Sequence, residues 1–275
     1  MSKYPMSSRR RIAIASYRPP RDGIIYGSIT LDCSDVLKYL DGLRETTGEH
    51  VTITAFMGAV IGRALEAEPT LNGRIHLGRY IPYDRVNVAF LVQMSEGDNL
   101  AQVLVEDIDK KTPAQVFADL KFKAARLRSH DDPNFEKSIK LTGKLPTPIL
   151  RRVLSFGSFM TTGVGVPFVG QDAFPFGSAV ITSVGMLGVD EAFIPPTPFL
   201  RVPLYVGIGA IRDMVFPVDG QPVVKPGISM SATLDHRFVD GYQAAGLIRV
   251  VRKYFEHPEL LDGGVDLRSV RPVAT

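Results

Sequence analysis

Two periodicities, alternation and helical spacing, divide this chain into short segments that follow one another closely. Residues 24 to 32 predict a strand, weakened by Gly27. Val36, Leu37, Leu40 and Leu43 then fall at helical spacing behind Ser34, which suits an N-cap, so a helix is predicted over residues 35 to 45. After a polar loop from Glu45 to His50, Phe56, Met57, Val60, Ile61 and Leu65 mark a second helix from about Thr54 to Ala67, stopped by Pro69. Val86 to Val92 is apolar almost throughout, as a central strand covered on both faces would be. A turn at Glu96 to Asn99 joins it to the strand Leu100 to Val105 as a hairpin. Thr112-Pro113 supplies a hydroxyl cap and a proline at the first helical position. Val116, Phe117, Leu120, Ala124 and Leu127 carry that helix to about Ser129, and the run His130 to Pro133 breaks it.

Residues 133 to 177 are the least regular part, with a short helix predicted to open at Pro146. Val153 to Gln171 holds no charged residue, but Gly157, Gly163, Gly165, Pro167 and Gly170 interrupt it, which excludes a transmembrane helix. The segment reads as a buried connection or subunit contact, or else as an apolar wall beside a substrate channel or a docking patch. Gly177 to Gly185 is a β-branched strand. Its period puts Val180, Thr182 and Val184 on one face and Ala179, Ile181 and Ser183 on the other. Leu204 to Ile211 and Val223 to Thr233 predict further strands, with a turn at Asp219-Gly220. Gly241 to Phe255 is a final amphipathic helix, with Ala244, Leu247, Ile248, Val251 and Phe255 on one face. Strands and helices interleave throughout, so residues 1–275 read as one α/β domain with no linker or repeat.

Composition narrows the function classes. A chain of 275 residues that is 45% hydrophobic and 22% charged is ordinary for a soluble globular protein. Its net charge of +3 argues for neither nucleic acid nor a membrane surface. Cys33 is the one cysteine, so no internal disulfide is possible and a reducing, cytoplasmic compartment is expected. Cys33 itself reads as a small buried side chain. Arg9, Arg10, Arg11, Arg18 and Arg21, with no acid before Asp22, have the composition of a mitochondrial targeting peptide. The five histidines show no ligand spacing, so no metal is expected, and there is no P-loop and no G-x-S-x-G.

What remains is Asp235-His236-Arg237-Phe238-Val239-Asp240-Gly241, where an alternating run meets the last helix. Histidine both takes and gives a proton near neutral pH, and a strand-to-helix junction can hold it rigid yet open. The plain alternative is a ring satisfied by local hydrogen bonds, with Asp235 and Asp240 as surface or capping acids. A base without a nucleophile of its own suits acyl transfer, in which the acceptor attacks and a separate donor stabilises the oxyanion.

These residues resemble the D-H-R-x-x-D-G signature of the catalytic domain of the dihydrolipoamide acyltransferases of 2-oxo acid dehydrogenase complexes, whose fold is that of chloramphenicol acetyltransferase. Val180 to Gly188, Arg9 to Ala13, Glu66 to Asn72 and Val105 to Thr112 resemble other stretches of that family in order and spacing. The match at residues 9–13 to the start of the folded domain argues against a cleaved targeting peptide. The resemblance implies an α/β fold with a mixed β-sheet, sandwich-like core and flanking helices. It implies a homotrimer with active sites at subunit interfaces, in some cases within a larger assembly. His236 would deprotonate coenzyme A or dihydrolipoamide. A neighbouring subunit's hydroxyl would stabilise the oxyanion, Thr182 by its motif position, with Ser183 the alternative. Asp240 would hold an arginine, Arg9 or Arg10, and shape the site. Coenzyme A enters as a substrate, and the lipoyl group would come from another protein, since no lipoyl or peripheral-subunit-binding domain lies within residues 1–275. Two other readings stay open: a weakly catalytic scaffold subunit of such an assembly, and a small-molecule O- or N-acetyltransferase.

Overall fold

The computed structural model describes residues 23–93, 100–128, 145–168 and 171–263. Strand β1 (Ile24–Asp32) leads into helices α1 (Ser34–Thr47) and α2 (Ile53–Ala67). A separate two-stranded ribbon follows, β2 (Gly73–His76) against β3 (Arg79–Pro82). Strands β4 (Val88–Gln93) and β5 (Leu100–Val105) pair antiparallel as expected, while the predicted turn at Glu96 to Asn99 lies outside the described residues. Helix α3 (Pro113–Arg128) starts where the sequence places it. The Thr112 hydroxyl accepts from the Gln115 amide at 3.3 Å, and Gln115 Oε1 accepts in turn from the Thr112 amide at 2.9 Å. The expected break at His130 to Pro133 is likewise outside the described residues.

Ser34 is not the cap of α1. The N-cap position is Cys33, without a side-chain bond, and the carboxylate of Asp32 receives both the amide and the hydroxyl of Ser34, at 2.9 and 2.6 Å. The hydroxyl is spent as a donor to a stronger, charged acceptor two residues back. Lys225 also binds Asp32, at 2.7 Å. Burial pushes the Asp32 carboxyl up, but the bonds from Lys225 and Ser34 outweigh it and hold the group below its usual value.

The irregular segment is more helical than its glycines suggest. Helix α4 (Thr147–Ser158) begins after Pro146 and runs on into a π-helical turn, Phe159–Val164. Gly165, at φ 84°, ends it in the left-handed conformation that glycine adopts without a Cβ penalty. Among the described residues no helix is long and apolar enough to cross a membrane.

Strands β6 (Ala179–Ser183), β7 (Leu204–Ile208), β8 (Arg212–Val218) and β9 (Gln221–Asp235) complete the main sheet, and α5 (Gly241–Glu256) follows. The order across the sheet is β1-β9-β7-β6-β4-β5, with β8 on the outer half of β9. β4, β6 and β7 are parallel, and the other pairings are antiparallel. The fold is mixed α/β, as read from the sequence.

The two faces of the sheet differ. Ala179, Ile181, Leu204, Val206, Ile208, Ile228, Met230 and Leu234 face a large core shared with α1, α2 and α5. Ala89, Val180 and Tyr205 face a smaller cluster with Phe176, Leu200 and Val202, and no described helix belongs to that cluster. Alternation therefore turns Thr182 toward the helix-free face and Ser183 toward the helical one. Cys33 is fully buried, and burial, with the nearby Asp32 carboxylate adding, pushes its thiol up to about 12.

The segment Asp190 to Ala192 crosses the helix-free face directly on glycines of β7 and its extension. A Cβ on Gly209 would stand 1.8 Å from the Asp190 carbonyl oxygen, and one on Gly207 would stand 2.5 Å from that of Ala192. We expect Gly209→Ala to destabilise the fold by about 1–3 kcal/mol, because the crossing segment must lift off the sheet. Equilibrium denaturation checks this, and an unchanged midpoint would show that the crossing is loosely held.

Candidate active site

The site begins where β9 ends. The Asp235 amide donates to the Pro203 carbonyl at 2.9 Å, and the His236 amide donates to the Gly23 carbonyl at 3.2 Å. The turn closes when Phe238 N donates to Asp235 O at 3.0 Å. Arg237 folds back on Asp235: its amide and its Nε both reach Oδ1, at 3.0 and 2.9 Å, and its Nη2 reaches Oδ2. This leaves Asp235 holding the turn rather than orienting the imidazole. Val239 anchors the turn in the core at 3% exposure.

The His236 ring is fixed by its own loop. Its Nδ1 lies 2.7 Å from the Val239 carbonyl oxygen. A carbonyl only accepts, so Nδ1 carries the proton of the neutral ring and the lone pair resides on Nε2. A Cβ on Gly23 would meet the His236 Cβ at 3.4 Å, so β1 begins against the imidazole. The side chain is exposed in the single chain. Local satisfaction and a catalytic role are therefore not alternatives here, because the local bond occupies one nitrogen and frees the other.

Asp240 is the N-cap of α5. Its Oδ1 accepts from the amides of Tyr242 and Gln243 at 2.8 and 3.4 Å, and Gln243 Oε1 accepts from the Asp240 amide at 2.9 Å. Among the described residues it has no ion pair. Arg9 and Arg10, its expected partners, lie outside the described residues.

Thr182 and His236 do not meet within one chain. Ala179, Leu204 and Leu234 form one row across β6, β7 and β9, and Thr182, Gly207 and Ser231 form another. His236 lies two residues beyond the first row, and Thr182 three residues the other way and two strands across. At about 3.3 Å per residue and about 4.8 Å per strand, their backbones are on the order of 15–20 Å apart. Both Thr182 and Ser183 are half-buried at the end of β6, beside a 3-10 turn at Gly185–Leu187. The fixing groups, Val239 C=O and Gly23 C=O, carry no side-chain signal and are invisible to sequence reading. Among the described residues no group of three or more His, Cys, Asp or Glu could hold a metal ion.

Comparison with known proteins bears out the resemblance. Residues 171–262, which contain β6 to β9, all of α5 and both Thr182 and His236, match the family model described as 2-oxoacid dehydrogenases acyltransferase (catalytic domain). A probable dihydrolipoyllysine-residue succinyltransferase component of the 2-oxoglutarate dehydrogenase complex from Schizosaccharomyces pombe is 23% identical over 232 residues, covering 80% of this chain and 41% of that protein. A lipoamide acyltransferase component of the branched-chain alpha-keto acid dehydrogenase complex from Pseudomonas putida is 40% identical over 83 residues, 30% of this chain and 19% of that protein. The chain thus spans less than half the length of these relatives. In fold, a probable dihydrolipoamide acetyltransferase from Listeria monocytogenes superposes with a TM-score of 0.67 at 14% identity, covering 97% of this chain and 98% of that one. Chloramphenicol acetyltransferase gives 0.50 at 12% identity, covering 90% and 94%. The similarity to the acyltransferase catalytic domain of the 2-oxoacid dehydrogenases thus lies in residues 171–262, and the fold of the acetyltransferase from Listeria monocytogenes extends over 97% of the chain.

If Asp240 acts as a cap, Asp240→Ala should cost about 1 kcal/mol and Asp240→Asn only a fraction of that. Urea denaturation of both variants measures it. Equal losses would show that the charge matters more than the cap.

Proposed function

We propose that this chain is the catalytic domain of a CoA-dependent acyltransferase, moving an acyl group between coenzyme A and a thiol such as dihydrolipoamide. The observation that carries the reading is the His236 tautomer: Nδ1–H is held by the Val239 carbonyl, and Nε2 is left open at the tip of a rigid turn.

In this reading Nε2 takes the proton of the incoming thiol as its sulfur attacks the thioester carbonyl carbon. A thiol is a much weaker acid than imidazolium, so proton transfer accompanies attack rather than preceding it. The carbonyl oxygen becomes an oxyanion and receives a hydrogen bond from the Thr182 hydroxyl. Collapse of the tetrahedral intermediate breaks the bond to the departing sulfur, which recovers the proton from Nε2. No covalent enzyme intermediate forms and no metal takes part.

Because Thr182 and His236 of one chain stand far apart, the hydroxyl comes from a neighbouring copy, and we assign a homotrimer with its active sites at the subunit interfaces. The helix-free side supports this. Tyr26 and Phe193 pack edge to face there, with ring centres 5.6 Å apart, yet are 56% and 43% exposed. Met186 and Leu187, just past Thr182, are 68% and 67% exposed. Apolar side chains left in water beside a candidate site suit a subunit contact. Ser183, Arg9 and Arg10 are assigned to shaping the coenzyme A side of the channel, and the lipoyl arm is assigned to a partner protein within a larger assembly.

His236→Ala should lower kcat/KM for acetyl-CoA with dihydrolipoamide by on the order of a hundredfold or more, with particle mass by light scattering unchanged. An unaffected rate eliminates His236 as the base. Thr182→Ala should slow turnover by on the order of a hundredfold and Ser183→Ala by less. The reverse order would place the oxyanion donor on the other face of β6.

A further inference from the structure

A group of cationic and polar side chains next to the His236 turn plays no part in the mechanism above. It is gathered by the π-helical turn Phe159–Val164, the ribbon strand β2 and the loop before β7. Arg74 and His76, two residues apart on β2, share one face of the ribbon. His76 lies against the Phe159 ring, with centres 5.7 Å apart. A Cβ on Gly163 would be 3.4 Å from His76 Nδ1 and 3.5 Å from Arg201 Nη1. Both nitrogens therefore converge on one point of the turn. Arg201 holds a left-handed φ of 54°, and its Nε donates to the Ser158 hydroxyl at 2.9 Å. The Arg74 guanidinium lies 4.5 Å from the centre of the Phe174 ring and 5.7 Å from that of Tyr83.

This group is under-satisfied. Among the described residues, Arg74 Nε, His76 Nδ1 and the Thr162 hydroxyl are buried without a hydrogen-bond partner, and Thr162 is 2% exposed. Such atoms cost free energy unless something bonds them. Among the described residues neither Arg74 nor Arg201 has a carboxylate partner, and the Asp235 carboxylate is taken by Arg237. Burial, and then repulsion from Arg237, lower the Arg201 pKa below its ordinary value. The ribbon touches the His236 turn, with the Tyr80 and Phe238 ring centres 6.2 Å apart.

We propose that Arg74, His76, Thr162 and Arg201 form a carboxylate-binding site beside the His236 turn. Two guanidiniums, an imidazole N–H and a hydroxyl supply donors for both oxygens of a carboxylate, whose planar form matches a guanidinium. The Phe159 and Phe174 rings beside these donors suit a carboxylate carried on an apolar chain. A nucleotide diphosphate, bulky and strongly hydrated, suits them poorly. The ligand is thus a substrate that presents a carboxylate near the acyl-transfer centre, either on the acyl group or on the acceptor.

The proposal rests on the acyltransferase reading only for the meaning of that nearness, so its test uses no thioester. The full chain is titrated calorimetrically with succinate and, separately, with inorganic phosphate at constant ionic strength. Saturable succinate binding is expected, weakened at least tenfold by Arg74→Gln and by Arg201→Gln. Arg212→Gln, in the exposed pair with Asp190, should leave it unchanged. Thr162→Val should also weaken succinate binding several-fold while raising the melting temperature of the ligand-free chain, since it removes an orphaned hydroxyl. This variant decides the matter if either arginine variant fails to fold. No saturable heat, affinity unmoved in Thr162→Val, or tighter binding of phosphate than of succinate overturns the assignment. An enzyme inactive toward dihydrolipoamide that still binds succinate would sink the acceptor reading and leave this site standing. Loss of succinate binding with transfer intact would do the reverse.

Discussion

Everything at the candidate site depends on the pairing of β9 along both of its edges. From Gly227 to Asp235 its backbone bonds to β1 on one side, and from Met230 to Leu234 also to β7 on the other. A strand held on both sides has no freedom to slip, since a shift of one residue would exchange its two faces. The register therefore fixes where β9 ends. Two further backbone bonds, to Pro203 and Gly23, extend that control across the end of the strand to the imidazole itself. The turn needs no extended loop to present His236, because each residue from Asp235 to Asp240 either closes the turn, fills the core or caps the next helix.

The asymmetry of the sheet follows from how its connections are placed. α1, α2 and α5 all fall on one face, and together with the buried faces of β6, β7 and β9 they form the main core. Among the described residues the other face receives no helix but Phe176 and the segment after β6, which lies flat on Gly207 and Gly209. A thin cover of that kind leaves the end of β6 close to the surface. It also puts Thr182 on the side of the sheet where another subunit can approach without displacing a helix. Thr182 and His236 are thus presented at opposite ends of interior strands of the sheet, so the function proposed above makes assembly a requirement of the chemistry.

Much of this was legible in the sequence, for identifiable reasons. The apolar run at Val86 to Val92, the Thr112-Pro113 start and the period of Val180 to Ser183 each have a local cause; the last two stand where the pattern placed them, and the strand of the first begins two residues later, at Val88. The seven residues from Asp235 to Gly241 carried the family. Other features were hidden because their cause is distant. Ser34 looked like a cap until Asp32, itself tied to Lys225 across the sheet, claimed its hydroxyl. Gly157, Gly163 and Gly165 read as breakers. In the structure Gly163 is where His76 and Arg201 approach the turn, and only Gly165 ends the helix. The tautomer of His236 depends on a backbone carbonyl, which no residue type announces. The pairing of Arg74 and His76 with a turn some ninety positions later likewise has no signature along the chain.

Cys33 has a practical bearing on how such an assembly can be studied. Its thiol is sealed beneath the start of α1, and burial suppresses ionisation to the thiolate, which is the species that reacts. The native chain therefore offers maleimide or iodoacetamide reagents almost nothing. A single cysteine introduced at an exposed place, such as Met186, would become the one addressable position in each copy. Spin labels or fluorophores could then be attached without first removing the native sulfur, and spacings between copies measured in the otherwise unaltered protein.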